Sequence, residues 1–371
     1  MKLSCEKTML GEALTNVSRV IPGKSSIPAL EGVQLKAYKD SLTLTGYDAE
    51  AGITTSIPAE VEAEGEVVLP ARLFSDMIRK LACEQVRIEV GQSLMSEIAG
   101  GAAKFNIMGI PSEEFPELPQ VDQGEAVTFS QGALRSMIEQ TLFAVAGNDA
   151  KPVHTGSLFD LEEGKLNLVS VDGYRLAMRS EAVDTTQQMR FIVPGKVLGE
   201  MVKLLKDDRE ENVSLTVSKR HILFDVGPYL MVSRLLEGEF LDYKTSLPQG
   251  CQSVVSLSTR EMIDGVERAS LLISDRLRSP LRINFGEDGL VSIACSTPLG
   301  KSFDQVNASK MEGEGFEMGF NNKYMLDALK AADSDEVRIE LSGPLSPIKI
   351  LPPEGEDFLF LVLPVRLKND G

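Results

Sequence analysis

Apolar and polar positions along the 371-residue chain form a pattern that occurs three times. In each occurrence a short apolar strand ends near Pro70, Pro194 or Asn321, and an amphipathic helix follows, with apolar residues at i, i+3, i+4 and i+7. A spacing of about 125 residues is too long for a solenoid repeat and is typical of whole domains. The pattern therefore predicts three similar α+β domains in series, at residues 1–121, 122–249 and 250–371.

Other landmarks recur at the same offset. Each third opens with a predicted helix, at residues 6–20, 130–145 and 258–272, and Ser130 and Ser258 are suitable N-caps. One unit thus reads as a helix, several strands, a second helix and several further strands. The alternative is an ordinary two-domain α+β protein whose segments are similar by chance.

Composition limits the possible locations of the protein. Hydrophobic residues make up 43% and charged residues 25%, as in soluble globular proteins. No apolar run approaches the roughly 18 residues that span a bilayer, and the N-terminus lacks a signal-peptide pattern, so we expect a cytoplasmic protein that binds no membrane. The four cysteines lie far apart without a CxxC motif, which favours reduced thiols packed as small apolar groups.

The net charge of −17 by itself disfavours nucleic acid as a partner, because basic patches usually bind phosphate. The charge is unevenly distributed, however. The predicted helices carry a small positive charge, whereas strands and loops carry the acidic excess. Exposed helix faces often carry lysine, so composition alone leaves both interpretations open.

Catalytic signatures are largely missing from the sequence. The segments 23–25 and 300–302 end like phosphate loops but lack the first glycine of that motif. Only two histidines are present, too few for a histidine metal cage or a repeated general base. We therefore expect no catalytic residues, no metal and no cofactor. The alternative is a three-domain hydrolase that uses Arg175 and acidic residues at a domain cleft.

Two local features exceed the background. The segment 171–176 predicts a hairpin turn at Gly173 between two apolar stretches, followed by Arg175, which could pair with a carboxylate. The segment 358–367 is almost entirely apolar without alternation, so we expect a strand covered on both faces. Pro364 should end that strand and leave an apolar rim.

In order and spacing, these features resemble the bacterial DNA polymerase sliding clamps, the beta subunits of DNA polymerase III, over the full length of the chain. The residues that carry the resemblance are 42–46 with Asp48, 70–72, 172–177, 193–196, 238–243, 319–321 with Tyr324, and 363–367. In that family, three like domains form a crescent and two crescents close head to tail into a ring. Helices line the hole and antiparallel sheets form the outer wall.

The resemblance implies binding to double-stranded DNA without sequence preference. A ring that traps DNA needs only weak phosphate contacts, so mildly basic helices inside an acidic exterior suit it. The positions implied for DNA contact are Lys24, Arg72, Arg79, Lys80, Lys151, Lys196 and Lys203. Related clamps often have aromatic or basic residues around Pro152 and Val153, and this chain has neither there.

The resemblance also implies a pocket between the second and third domains, where DNA polymerase subunits, the clamp loader and repair proteins insert a short peptide motif. The matching positions are His154, Val171, Gly173, Tyr174, Arg175, Leu176, Leu241, Asn321, Tyr324, Val362, Leu363, Pro364, Val365 and Arg366. Three positions depart from the common pattern, namely His154, Leu241 and Thr245. Residues 368–371 extend past the usual end and could partly cover the pocket.

A homodimer is the remaining implication. We expect edge strands of the first and third domains to pair between two chains. In that arrangement Phe105 and Ile107 of one chain face Leu271 and Leu272 of the other and form a small apolar core.

Overall fold

The computed structural model describes residues 1–121, 125–148, 151–274 and 279–367. These residues group into two compact units, Met1–Arg135 with Gly199–Leu235, and Ser136–Leu198 with Leu236–Gly371. The helices in the described ranges are α1 (Lys7–Val17), α2 (Ala71–Lys80), α3 (Gln131–Thr141), α4 (Gly195–Met201), α5 (Tyr243–Ser246), α6 (Thr259–Ala269) and α7 (Asn322–Ala331). No helix in the described ranges is long and apolar enough to cross a membrane.

Two antiparallel sheets make up most of the first unit. Its strands are β1 (Lys2–Glu6), β2 (Gly32–Tyr38), β3 (Ser41–Tyr47), β4 (Ala51–Pro58), β5 (Glu60–Ala63), β6 (Gly65–Pro70), β7 (Gln85–Val90), β8 (Met95–Gly100), β9 (Ala103–Met108), β10 (Glu125–Ser130), β15 (Asn212–Val217), β16 (His221–Val226) and β17 (Tyr229–Arg234). One sheet has the order β5-β1-β7-β8-β9, and the other has the order β10-β15-β16-β17-β4-β3-β2-β6.

One large antiparallel sheet dominates the second unit. Its strands are β11 (Gly156–Glu162), β12 (Lys165–Val171), β13 (Arg175–Ala182), β14 (Met189–Pro194), β18 (Ser253–Ser258), β19 (Leu281–Phe285), β20 (Leu290–Thr297), β21 (Gly300–Glu312), β22 (Phe316–Phe320), β23 (Glu336–Leu341), β24 (Ile348–Leu351) and β25 (Phe358–Val362). The order is β14-β11-β12-β13-β25-β24-β23-β18-β21-β20-β19-β22.

The same two strand groups occur in each third of the chain. One group has the order β1-β7-β8-β9, β10-β15-β16-β17 or β18-β23-β24-β25. The other has the order β6-β2-β3-β4, β14-β11-β12-β13 or β22-β19-β20-β21. The threefold repeat and the α+β class expected from the sequence are thereby confirmed. The exact domain boundaries at residues 121 and 249 stay a prediction.

Strand pairing joins neighbouring thirds into continuous sheets. Strand β17, at the end of the second third, pairs with β4, with Met231 opposite Ile53. Strand β25, at the end of the last third, pairs with β13, with Ala177 opposite Phe360. These two pairings explain why each compact unit contains strands from two thirds of the chain.

The helices begin where the sequence places their caps. The Ser258 hydroxyl accepts from the Glu261 N–H at 3.3 Å, and the Ser130 hydroxyl accepts from the Ala133 N–H at 3.3 Å. The Asn321 side chain accepts from the Lys323 N–H at 2.9 Å at the start of α7. These bonds satisfy amides that the first turn of a helix leaves unpaired. The predicted ends of the opening helices were too late, since α1 ends at Val17, α3 at Thr141 and α6 at Ala269.

The final strand has the burial expected from its sequence. All five residues of β25 are buried, and Phe360 stacks on Phe358 with ring centroids 4.9 Å apart. The strand ends at Val362, two residues before Pro364, because proline cannot donate to the strand ladder. Residues 363–367 therefore continue from a buried strand, and they themselves are exposed or half-buried.

All four cysteines are free thiols, as the sequence suggested. Cys5 and Cys295 are buried, and burial raises the pKa of Cys5 to about 12. The expectation of apolar packing is wrong for Cys251, which is exposed, because it lies in the loop before β18.

Candidate functional site

The turn between β12 and β13 is fixed by its own side chains. Gly173 has a φ of +87°, which favours glycine, and a Cβ there would meet nothing within 4 Å. One carboxylate oxygen of Asp172 accepts from the Tyr174 N–H at 2.9 Å and from the Arg175 N–H at 3.1 Å. These bonds hold the turn so that the Tyr174 ring projects outward, with 61% of its surface exposed.

Arg175 ties this turn to α7. Its Nε donates to Asp172 at 2.9 Å, and one terminal nitrogen donates to Asp327 at 2.6 Å. The guanidinium also lies over the ring of Tyr324, 4.5 Å from the centroid, and over that of Phe143 at 5.3 Å. Arg175 is buried, and these internal partners engage two of its five N–H donors and the face of its guanidinium. A hydrolase based on Arg175 would have to break these contacts before the guanidinium could bind a substrate.

The segment after β25 forms the apolar rim predicted from the sequence. The Leu363 N–H donates to the Tyr174 carbonyl at 3.0 Å, and the Val365 N–H donates to the Gly319 carbonyl at 2.8 Å. A Cβ at Gly319 would lie 2.7 Å from the Val365 carbonyl oxygen, so only glycine permits this approach. Leu363 and Val365 are both partly exposed, at 38% and 39%.

Two tyrosines stand beside this rim. The rings of Tyr174 and Tyr324 stack with centroids 6.0 Å apart and an interplanar angle of 26°. Burial, together with the negative charge of Asp172, raises the pKa of Tyr324 above its ordinary value. Tyr324 therefore keeps its hydroxyl proton at neutral pH and remains a possible hydrogen-bond donor.

The other predicted pocket residues belong to the second third of the chain and lie in the same compact unit. His154 contacts the Phe240 ring edge to face, with centroids 5.9 Å apart, and Leu241 is partly exposed. Val171 and Leu176 are buried in one cluster with Phe240, and Leu176 is only 3% exposed. Leu176 thus belongs to the floor of this region, and a charge placed there would disturb the core before it disturbed docking.

All fourteen predicted pocket residues lie in the second unit. Val362 is buried, Arg366 is exposed and forms no ion pair with the described residues, and Asn321 caps α7. Sequence reasoning missed Asp327 and Phe143, which fix Arg175. Neither has a local signal, because each contacts Arg175 only through the tertiary fold. Residues 368–371 lie outside the described residues.

All seven residues implied for DNA contact are exposed: Lys24, Arg72, Arg79, Lys80 and Lys203 in the first unit, and Lys151 and Lys196 in the second. Arg79 pairs with Asp76 at 3.1 Å, and Lys203 pairs with both oxygens of Glu200 at 2.9 Å. Exposed pairs of this kind are weak, so both cations remain able to exchange partners.

Within the described ranges, no group of three or more His, Cys, Asp or Glu residues could hold a metal ion.

The four residues implied for the dimer interface lie near two sheet edges. Phe105 and Ile107 belong to β9, and Ile107 is buried under the sheet. Leu271 is 82% exposed, and Leu272 lies beside the start of β21, where a Cβ at Gly300 would be 3.8 Å from it. Sequence reasoning missed Phe303 on β21, which is 67% exposed. A large aromatic residue at an outward position of an alternating strand was the signal for it.

Comparison with known proteins gives a consistent result. Three family models match the chain, namely the N-terminal domain of the DNA polymerase III beta subunit at residues 1–119, the central domain at 128–242 and the C-terminal domain at 244–366.

Individual relatives match over nearly the whole chain. The beta sliding clamp of Bacillus subtilis is 32% identical, over 99% of this chain and 100% of its own length. That of Staphylococcus aureus strain Mu50 is 33% identical, over 99% of both. The solved sliding clamp of Bacillus subtilis superposes with a TM-score of 0.96 at 31% identity, over 99% of this chain and 100% of that one. A beta subunit from Eubacterium rectale gives 0.94 at 33% identity, with the same coverage.

Proposed function

The chain belongs to the bacterial DNA polymerase III beta subunits, the beta sliding clamps, and we propose that two copies of it close head to tail into a ring around duplex DNA. It is a sliding clamp of DNA polymerase III and acts in DNA replication. The ring tethers the polymerase to its template in the cytoplasm. It catalyses no reaction of its own.

The ring proposal rests on two strand edges that have no partner strand within the described residues. Within the chain, the last strand of the second third pairs with β4, and the last strand of the last third pairs with β13. Two equivalent strands are left over. Strand β9 is the last strand of the first third, and β21 takes in the last third the place that β4 and β13 take in the other two. In the described residues β9 pairs only with β8, and residues 300–307 of β21 pair only with β20. A second copy that repeats the same join would satisfy both edges.

The side chains along these edges support that pairing. Met108 at the end of β9, and Phe303, Leu299 and Leu271 at or beside β21, are large, apolar and exposed. Clusters of exposed apolar side chains at an open strand edge are a liability in a monomer and are typical of an interface. The head-to-tail contact occurs twice in a closed dimer, because each chain supplies one edge of each kind.

Weak phosphate contacts suit a clamp that slides. The exposed cations on α2 and at Lys24, Lys196 and Lys203 provide charge without a structured base-reading element. The net charge of −17 repels DNA from the rest of the surface. Binding is therefore independent of sequence, and retention on DNA depends on the closed ring.

Partners dock at the apolar rim beside Tyr174. The exposed apolar surfaces of Tyr174, Leu241, Leu363 and Val365 suit leucine or phenylalanine anchors, and Arg366 offers a charged donor. DNA polymerase subunits, the clamp loader and repair proteins use this pocket through short peptide motifs. Because it is small, two or three buried side chains supply most of the affinity.

Charge reversal at two predicted DNA contacts should weaken DNA binding without unfolding the protein. We expect Arg72→Glu with Lys196→Glu to lower affinity for duplex DNA at least roughly tenfold and to flatten its salt dependence, because each lost phosphate contact removes about one unit of slope. Fluorescence anisotropy across a salt series measures both the affinity for duplex DNA and its salt dependence. The control pair, Arg87→Glu with Lys165→Glu, reverses two other exposed cations. Equal losses in both pairs would mean that only net charge matters.

Removal of the apolar edge side chains should give monomers. Leu271→Ser with Phe303→Ser should raise the dimer dissociation constant by about 100-fold, because buried apolar anchors dominate such interfaces. Sedimentation at micromolar protein reports the mass, and circular dichroism reports the fold. Tyr38→Ser, at an exposed aromatic residue that ends β2, serves as the control. A double variant that sediments as an unchanged dimer would show that the interface lies elsewhere.

A carboxylate at the rim should block peptide docking. We expect Leu363→Asp to weaken a peptide with leucine and phenylalanine anchors more than roughly tenfold, since an apolar anchor would then desolvate the new charge. Leu363 is partly exposed, so the fold should survive, whereas Leu176→Asp would damage the core. Titration of a fluorescent peptide measures the affinity, with the exposed Leu230→Asp as the control. Unchanged affinity in Leu363→Asp would place the partners elsewhere.

A further inference from the structure

A pocket in the second unit lies between α5, the end of β11 and the start of β14. Residues 160–162, 188–190 and 242–244 line it, and its volume is about 360 Å³, which is within the size range of small-ligand clefts. The pocket shares no residue with the predicted rim pocket or with the implied DNA contacts. The clamp function therefore leaves its chemistry without a role.

One of the carboxylates that line the pocket is buried. Asp160 is only 7% exposed, and its Oδ2 accepts from the Tyr243 hydroxyl at 2.8 Å. Burial and the Asp160 carboxylate raise the pKa of Tyr243, so this hydroxyl stays protonated and continues to donate. The other oxygen, Oδ1, forms no hydrogen bond with any described residue, yet it retains surface that solvent can reach. A donor that enters the pocket would supply the hydrogen bond that this oxygen lacks.

The remaining charges around the pocket favour a cation as its occupant. The Lys244 ammonium donates to Glu162 at 2.6 Å and lowers the pKa of that carboxyl, so these two groups neutralise each other. Asp242 and Arg190 are exposed, and the side chain of neither forms a hydrogen bond or ion pair with the described residues. Three carboxylates and two cations line the pocket, which leaves it with a net charge of −1.

The geometry selects an ammonium among the possible cations. Within the described ranges these carboxylates do not form a group that could hold a metal ion. A guanidinium binds best when its planar fork takes both oxygens of one carboxylate, and Tyr243 already occupies one oxygen of Asp160. An ammonium has three separate donors, each of which needs a single oxygen. Met189 and Leu161 add apolar surface against which a methylene stem can pack.

We propose that this pocket binds the side chain of a lysine from a partner protein. The ε-ammonium donates to Oδ1 of Asp160 and to the Asp242 carboxylate, and the methylenes pack against Met189. Asp242 directly follows Leu241, an exposed residue of the predicted rim pocket, so the lysine pocket continues the surface at which partners dock. The choice of a protein as the source of the lysine rests on the proposed docking at the rim, whereas the ammonium site itself does not.

The test compares three small peptides that carry no terminal charge. N-acetyl-Gly-Lys-Gly-amide is titrated into the intact protein by isothermal titration calorimetry, beside the same peptide with norleucine or with arginine in place of lysine. We expect millimolar binding of the lysine peptide and at least roughly tenfold weaker binding of the norleucine peptide, which lacks the ammonium. The arginine peptide should bind at least roughly fivefold more weakly than the lysine peptide.

Three variants in the pocket should change these affinities in different directions. Asp160→Asn keeps an acceptor for Tyr243 and should weaken the lysine peptide at least roughly tenfold. Arg190→Gln removes a neighbouring positive charge and should tighten the lysine peptide about threefold. Tyr243→Phe frees the second oxygen of Asp160, so it should reduce the preference for lysine over arginine while lysine binding persists. Circular dichroism checks that each variant is folded.

Controls separate this pocket from the rest of the acidic surface. Asp225→Asn removes an exposed carboxylate outside the pocket and should leave the lysine affinity unchanged, and so should Leu363→Asp at the rim. No binding at about 10 mM peptide, equal affinity for lysine and arginine in the unmodified protein, or unchanged affinity in Asp160→Asn would overturn the proposal. Putrescine that bound at least roughly tenfold more tightly than the lysine peptide would assign the pocket to a polyamine and would overturn the protein partner.

Discussion

Backbone pairing between the end of one repeat and the middle of the preceding one is the interaction on which the rest of the structure depends. A sheet edge presents a row of unpaired N–H and C=O groups, and each repeat of this chain has one edge to donate and one to accept. Two of the three joins are made inside the chain, by β17 with β4 and by β25 with β13. The third requires another chain, which is why we propose a closed dimer.

The β25–β13 join also positions the candidate pocket. It places Val362 opposite Arg175, so the rim of residues 363–367 emerges directly beside the Gly173 turn. Arg175 then connects that turn to α7 through Asp327 and Tyr324. The candidate pocket thus combines a strand end, a hairpin turn and helix α7. The buried guanidinium of Arg175 joins the turn to the helix, and backbone pairing holds the strand end beside them. Asp172, Arg175 and Asp327 are paired with one another, so the exposed surface of the candidate pocket is mainly apolar apart from Arg366.

Much of this organisation could be predicted from the sequence. The threefold repeat, the caps at Ser130 and Ser258, and the covered C-terminal strand follow from periodicity and capping chemistry that are local in the chain. The exposure of Arg72, Arg79, Lys80 and Lys196 also follows, because they lie on the polar faces of α2 and α4, whereas Lys24, Lys151 and Lys203 lie outside the helices.

Other features could not be predicted, and the reasons are physical. Asp327 contacts Arg175 across 152 residues of sequence, and no local pattern encodes such a pair. Leu176 and Leu363 are both leucines in apolar segments, yet Leu176 is buried in the core and Leu363 lies at the exposed rim. Burial depends on which strands lie next to each other in the fold.

Release from circular and linear DNA tests the central claim most directly. The protein is loaded onto a nicked circular plasmid, salt is raised until direct phosphate contacts are lost, and the bound fraction is followed before and after a single cut linearises the plasmid. A closed ring predicts retention on the circle at high salt and rapid loss after the cut, because the ring slides off the ends. Equal loss from circular and linear DNA would contradict the closed ring and, with it, the edge pairing from which we infer it.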